Sequence, residues 1–176
     1  MDNTEIDAFY ETHQALYSYL LAQREVSFAN ESNNNFRRSL VLAIASYFEH
    51  QVMAIMRALP LKHASGHPFI CALIEQKAIA HQYHTYFEWD GSNANKFFRL
   101  FGADFRDAVK ASIQADREIE ASIKAFLELG DLRNRLVHLN YVTFDVDKTP
   151  EDIMSRYRLA LGFIAFLRSR LLGESE

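Results

Sequence analysis

Cysteine, proline and glycine are scarce in this chain, and each scarcity removes a class of protein. A single cysteine, Cys71, allows no intrachain disulfide and no cysteine-based zinc site built from one chain. A reducing compartment suits it. Three prolines and six glycines are too few for a turn-rich β-sandwich and suit long helices. The opening residues, MDNTEIDAFYETHQ, lack the basic-then-apolar order of a secretory signal. The longest apolar run, Leu40 to Phe48, falls far short of a bilayer span. We therefore expect a cytoplasmic protein with no membrane segment. Positive charge is also in short supply: the net charge of −4 argues against coating nucleic acid through bulk electrostatics. Any such contact has to be made in a small basic site on an acidic surface.

What is abundant is apolar and aromatic. Hydrophobic residues make up 49% of 176 residues, with 14 Phe and 8 Tyr, enough for one packed core. The apolar residues recur every three to four positions, the helical period. A first helix is predicted from about Thr4 to Ser27, with Thr4 as its cap, followed by a polar loop at Asn30–Asn35. The clearest stripe, Leu40, Ile44, Tyr47, Phe48, Val52, Ile55 and Leu59, predicts a second helix over Asn35–Leu59, stopped by Pro60. A third is predicted from Pro68 to Phe87, a turn at Trp89–Asn93, and a short helix over Ala94–Phe101 ended by Gly102. Ala103–His138 is helical again, interrupted near Ala115-Asp116 or at Gly130. After a break at Asn140–Lys148, Thr149-Pro150-Glu151-Asp152 supplies a cap, a first-turn proline and an acidic third position for the last helix. No repeat, linker or strand alternation is present. Residues 1–176 read as a single all-α domain, a bundle of five to six helices.

The informative segment is Gly130-Asp131-Leu132-Arg133-Asn134-Arg135-Leu136-Val137-His138. An Arg-Asn followed by His at this spacing arises by chance in roughly one chain in a hundred of this length. These residue types suit attack of a ribose 2′-OH on the adjacent phosphate, which needs a proton acceptor, a proton donor and cations for the developing charge. An imidazole can serve as base or acid near neutral pH, the role open to His138. Arg133 offers a planar fork for phosphate oxygens. Asn134, four residues before His138, shares its helical face and can hydrogen-bond substrate or orient the ring. Against this stands a plainer account: Arg133 and Arg135 as solvated helix charges, Asp131 and Asn134 as polar filler, and His138 favoured by the helix dipole.

The Arg133-Asn134-x-x-x-His138 pattern resembles the signature of the HEPN superfamily. The text around it, LRNRLVHLNYVTFDVDKTPEDIMSRYRLALGFIAFL, is similar to members of the RiboL-PSP-HEPN type. So is RRSLVLAIASYFEHQV, where an aromatic-acidic pair such as Phe48-Glu49 recurs. The likeness runs from about Phe36 onward, and only the RNxxxH core is specific. It implies a helical bundle that dimerises, cleaves RNA without metal or cofactor, and works in toxin–antitoxin systems, phage defence or stress response. Geometry points the same way. Arg133 and His138 lie about 140° apart around a regular helix, so one copy does not easily aim both at one phosphate. Two copies across a twofold axis would bring two Arg and two His to one cleft. The remaining reading is a non-catalytic dimer that binds nucleotide or RNA, or serves as an adaptor.

Three supporting residues and a rival site also stand out. Glu49 can pair with Arg133 or tune His138; equally, it can be an ordinary exposed glutamate. Asp131 adjoins the motif. Tyr141 stands three residues after His138, whereas in some HEPN toxins a partner nucleotidyltransferase modifies a tyrosine two residues after the histidine. Control by such a partner, or by an antitoxin, is therefore an open expectation. His81 and His84, with Glu88 beyond, have a spacing that can hold a metal on one helix, but no third ligand at recognisable spacing joins them. Arg37-Arg38, read at a helix N-terminus, oppose the dipole and hint at an anionic partner.

Overall fold

A computed structural model describes residues 4–174. Among these the chain forms α1 (Glu5–Ala22), α2 (Val26–His63), α3 (Pro68–Ile74), a π-helical turn (Glu75–Ile79), α4 (Tyr83–Tyr86), α5 (Asn95–Arg99), α6 (Ala103–Ala115), α7 (Arg117–His138) and α8 (Pro150–Leu172), with no strand. The all-α expectation holds. The count of five to six helices does not, because the predicted third helix and the Ala103–His138 stretch each divide.

Thr4 caps α1 as expected. Its hydroxyl accepts from the Asp7 backbone N–H, and the Asp7 carboxylate accepts from the Thr4 N–H. The helix ends five residues early, where Arg24 takes a left-handed φ of 64°. The predicted asparagine loop is helical instead, and α2 starts at Val26. The asparagines are satisfied by side chains one turn away: Arg37 donates to Asn34 at 2.6 Å and Arg38 to Asn35 at 3.1 Å. Phe36 is buried beneath the His13 ring, stacked at 3.7 Å. Pro60 does not stop α2 either. It sits in the last turn, where few backbone bonds remain to lose, and the turn beyond is tied down by His63 Nε2 donating to the Leu171 carbonyl at 2.8 Å and by Lys62 donating to Leu172.

One 18-residue window of α2 is long and apolar enough to cross a membrane by length and composition, more than its longest apolar run suggests. Of its stripe, Leu40, Ile44, Phe48, Val52 and Ile55 are buried in the core against α7 and α8, and Tyr47 and Leu59 are half-buried against it. The break near Asp116 is real: Asp116 caps α7 by accepting from the N–H groups of Glu118 and Ile119. The helix passes through Gly130 unbroken. Phe126 of α7 is the hub of the core, with Phe48, Phe87 and Phe163 edge-on at 5.3, 5.0 and 5.0 Å. The final helix opens as predicted, with Thr149 and Asp152 forming a capping box.

The segment after α7 is short of regular structure and is held from two sides. Arg37 and Arg38 lie well inside α2, not at an N-terminus, and they donate to backbone carbonyls of this segment: Arg37 to Val146, and Arg38 to Phe144 at 2.8 Å. The hint of an anionic partner there gives way to a structural role. On the other side Glu128 pairs with Lys148 at 2.8 Å and Arg156 at 2.7 Å. Partial burial pushes the Glu128 carboxyl up, but the hydrogen bonds from Lys148 and Arg156 outweigh it and hold the group below the ordinary glutamate value of 4.5. A depressed pKa in the folded state stabilises above the ordinary value, and that contribution disappears as pH falls through the depressed one. Glu128→Gln should therefore cost up to about 1 kcal/mol near neutral pH, small because the pair is half exposed. Thermal melts should show the difference from wild type closing as the pH drops below 4.5; a difference independent of pH would refute the assignment.

Candidate functional site

Between α2 and α7 lies a cavity of about 320 Å³. One face of α2 supplies Ala45, Glu49 and Met53, spaced four apart. One face of α7 supplies Phe126, Gly130, Arg133 and Asn134, spaced three to four apart. The helical period that feeds the core one or two turns earlier thus delivers these side chains to the cavity. Phe48 and Phe126 form the buried floor.

The remaining wall comes from the segment 81–89. The predicted helix fails here because the π-helical turn ends at Ala80, with ψ at 118°, and His81 adopts a left-handed φ of 60°. The chain reverses, and His81, Tyr83, His84 and Trp89 face the cavity. Strained non-glycine residues of this kind concentrate at functional sites. The reversal also takes His81 and His84 off a common helix, and no group of three His, Cys, Asp or Glu converges among the described residues. Trp89 sets the Cε3–Cζ3 edge of its indole against α7 at Gly130, where a β-carbon would stand 2.1 Å from the ring. Its Nε1–H donates to the His84 carbonyl at 3.1 Å, which fixes the ring.

Arg133 and Asn134 of the motif both line this cavity, and Arg133 donates to Asn134 Oδ1 at 3.1 Å. Glu49 faces the same space without forming an ion pair with Arg133 and without a hydrogen bond to His138; neither Glu49 nor Arg133 has a salt-bridge partner among the described residues. The expected pairing of Glu49 with Arg133 is therefore absent within one chain. Burial pushes the Tyr83 phenol up, the Glu49 carboxylate pushes it further, and Arg133 opposes both. Tyr83 consequently stays protonated, a donor between two opposite charges.

His138 is placed elsewhere. It is exposed in the last turn of α7 and is not among the cavity's lining residues. No hydrogen bond from the described residues orients its ring. Around it lie the exposed apolar side chains Val137, Leu139, Tyr141 and Val142, the last 75% exposed. Tyr141 lies under the Arg38 guanidinium at 5.9 Å, and Arg135 lies over Phe144 at 5.3 Å. Asp131 lies off the cavity. Tyr83 and Trp89 join the site without having been predicted from the sequence. The signals that could have found them are slight: the chain's one tryptophan in a turn, and a glycine kept inside a helix, which usually marks close packing.

The family model described as RiboL-PSP-HEPN matches residues 8–172. No curated protein and no solved structure matches the chain.

Glycine-to-alanine changes inside a helix ordinarily stabilise by about 1 kcal/mol. At Gly130 the sign should reverse, because the indole has no room to yield without leaving the helix. We expect Gly130→Ala to destabilise by about 1–3 kcal/mol and to red-shift the emission of Trp89, the only tryptophan in the chain. Equal or higher stability with unchanged emission would show that the ring does not need this approach.

Proposed function

Since the chain belongs to the RiboL-PSP-HEPN family, we propose that it is a metal-independent RNA endonuclease whose active centre is completed by a second copy of the chain. One observation carries this reading. Arg133 and Asn134 face a cavity, while His138 of the same motif sits outside it, exposed within an apolar rim. A lone chain offers the phosphate-binding and proton-transferring groups in different directions. A second copy packed on the Val137–Val142 rim would cover that apolar surface and bring its own Arg133 and His138 to the same groove. The pooled cations would also let a protein of net charge −4 hold a polyanion.

In this arrangement one His138 accepts the proton of a ribose 2′-OH as its oxygen attacks the adjacent phosphorus. The bond from phosphorus to the 5′-oxygen breaks, and the second His138 donates a proton to the departing oxygen. The products are a 2′,3′-cyclic phosphate and a 5′-hydroxyl. The two Arg133 guanidinium groups bind the phosphate oxygens as charge builds. The setting we propose is a cytoplasmic toxin, phage-defence or stress-response system, in which an antitoxin or a nucleotidyltransferase reaches the exposed Tyr141. The alternative, a non-catalytic dimer that binds RNA or nucleotide, is favoured by one feature: among the described residues no hydrogen bond orients the His138 ring.

Purified protein should cleave single-stranded RNA in EDTA and leave cyclic phosphate ends. His138→Ala and Arg133→Ala should each lower the rate at least about a hundredfold, with circular dichroism and melting unchanged. Cleavage by His138→Ala at the wild-type rate would remove the histidine from the chemistry. The chain should also sediment as a dimer, and Val142→Glu should shift it to monomer with loss of cleavage. A stable monomer that cleaves RNA would overturn the shared centre.

A further inference from the structure

The cavity beside Arg133 has more apparatus than phosphate binding requires. It is about 320 Å³, at the small end of ligand pockets, which span roughly 300–1,000 Å³. Its walls are aromatic, with Phe48 and Phe126 at the base and Tyr83 and Trp89 at the side, and the Trp89 ring is held in place by Gly130 and the His84 carbonyl. A fixed, flat indole is a stacking platform. Two opposite charges, Glu49 and Arg133, line the same space and do not pair with each other. An ordinary surface cleft would let them collapse into an ion pair. Unpaired opposite charges beside aromatic walls suit a ligand that carries an anionic group, a flat aromatic body and hydrogen-bond donors.

A nucleotide has that constitution, and Glu49 narrows the base. An ionised carboxylate only accepts, through two adjacent oxygens. Guanine is the base that presents two neighbouring donors on its Watson–Crick edge, N1–H and the N2 amino group. Adenine and cytosine each offer one donor beside an acceptor, and uracil offers one donor between two carbonyls; an acceptor facing the carboxylate is repelled. Single-stranded RNA is commonly read in this way, with a base splayed out, stacked on an aromatic ring and bonded on that edge. We infer that the α2–α7 cavity is a guanine-reading pocket: Glu49 accepts from N1–H and N2–H of a base stacked on Trp89, while Arg133 holds that nucleotide's phosphate. This rests on the RNA reading of the same site and adds to it a base preference at the cleaved step.

The probe is a set of hexanucleotides of 2′-O-methyluridine carrying one central guanosine, inosine, adenosine or cytidine, all 2′-O-methylated so that no attacking hydroxyl exists. Binding is followed by quenching of Trp89, the chain's single tryptophan. The guanosine oligomer should bind at least about tenfold more tightly than the others. Inosine, which lacks the N2 amino group, should fall among the weak binders. In Glu49→Gln the guanosine oligomer should lose that advantage while the adenosine and cytidine oligomers, freed of the carboxylate's repulsion, bind no more weakly than before and the melting temperature stays put. Guanosine 5′-monophosphate should quench as well, more weakly than the guanosine oligomer. Equal binding of all four oligomers, an unchanged preference in Glu49→Gln, or binding of the mononucleotide without the oligomer would each overturn the inference. The readout does not depend on cleavage. A protein that prefers guanosine but never cuts loses only the nuclease reading, and one that cuts without base preference loses only this pocket.

Discussion

The whole arrangement depends on how α7 is buried. Phe126 sits at the centre of the aromatic core with Phe48, Phe87 and Phe163 around it, and that packing fixes the rotation of the helix about its axis. Once the rotation is fixed, the helical period sets the direction of every later side chain on α7. Gly130, Arg133 and Asn134 must face the same side as Phe126, and His138, one turn past Asn134, must emerge at the end. A core contact therefore aims the residues of the motif. Rotating α7 by one residue would put Leu132 or Asn134 where Arg133 now stands.

The second constraint is the balance of charge in the cavity. Glu49 and Arg133 share a space lined by rings, and Tyr83 stays protonated between their fields. Leaving both charges unpaired forgoes an attraction that a half-exposed pair would otherwise supply. The basic side chains at the end of α7 divide their work differently. Arg37 and Arg38 are committed to carbonyls of the segment after α7, and Arg135 lies over Phe144, which leaves Arg133 as the arginine of that group that faces the cavity.

The elements legible in the sequence are those with local causes. Thr4 and Thr149 are readable as caps because a threonine with an aspartate three residues later closes a capping box from within a single turn. The α2 stripe is readable because its period is set by one helix. The asparagine run has the composition of a loop, yet it is helical because Arg37 and Arg38 compensate for poor helix formers, and their own anchoring comes from carbonyls more than a hundred residues away. Pro60 fails as a stop for a similar reason: the turn beyond it is secured by the far end of α8. The reversal at His81 breaks a segment whose sequence is helical in pattern throughout.

The sequence by itself determined the all-helical class, the two capped helix starts, and the Arg133-Asn134…His138 motif, since each depends on residue types and spacings within a few turns. Only the tertiary structure decided that Arg133 and Asn134 share a cavity with Glu49, Tyr83 and Trp89, and that His138 does not. Those residues lie on α2, α7 and an irregular segment between them, and no local period relates one to another. Their meeting is fixed by the burial of Phe126 and by the missing β-carbon at Gly130, both of which act across the fold and not along the chain.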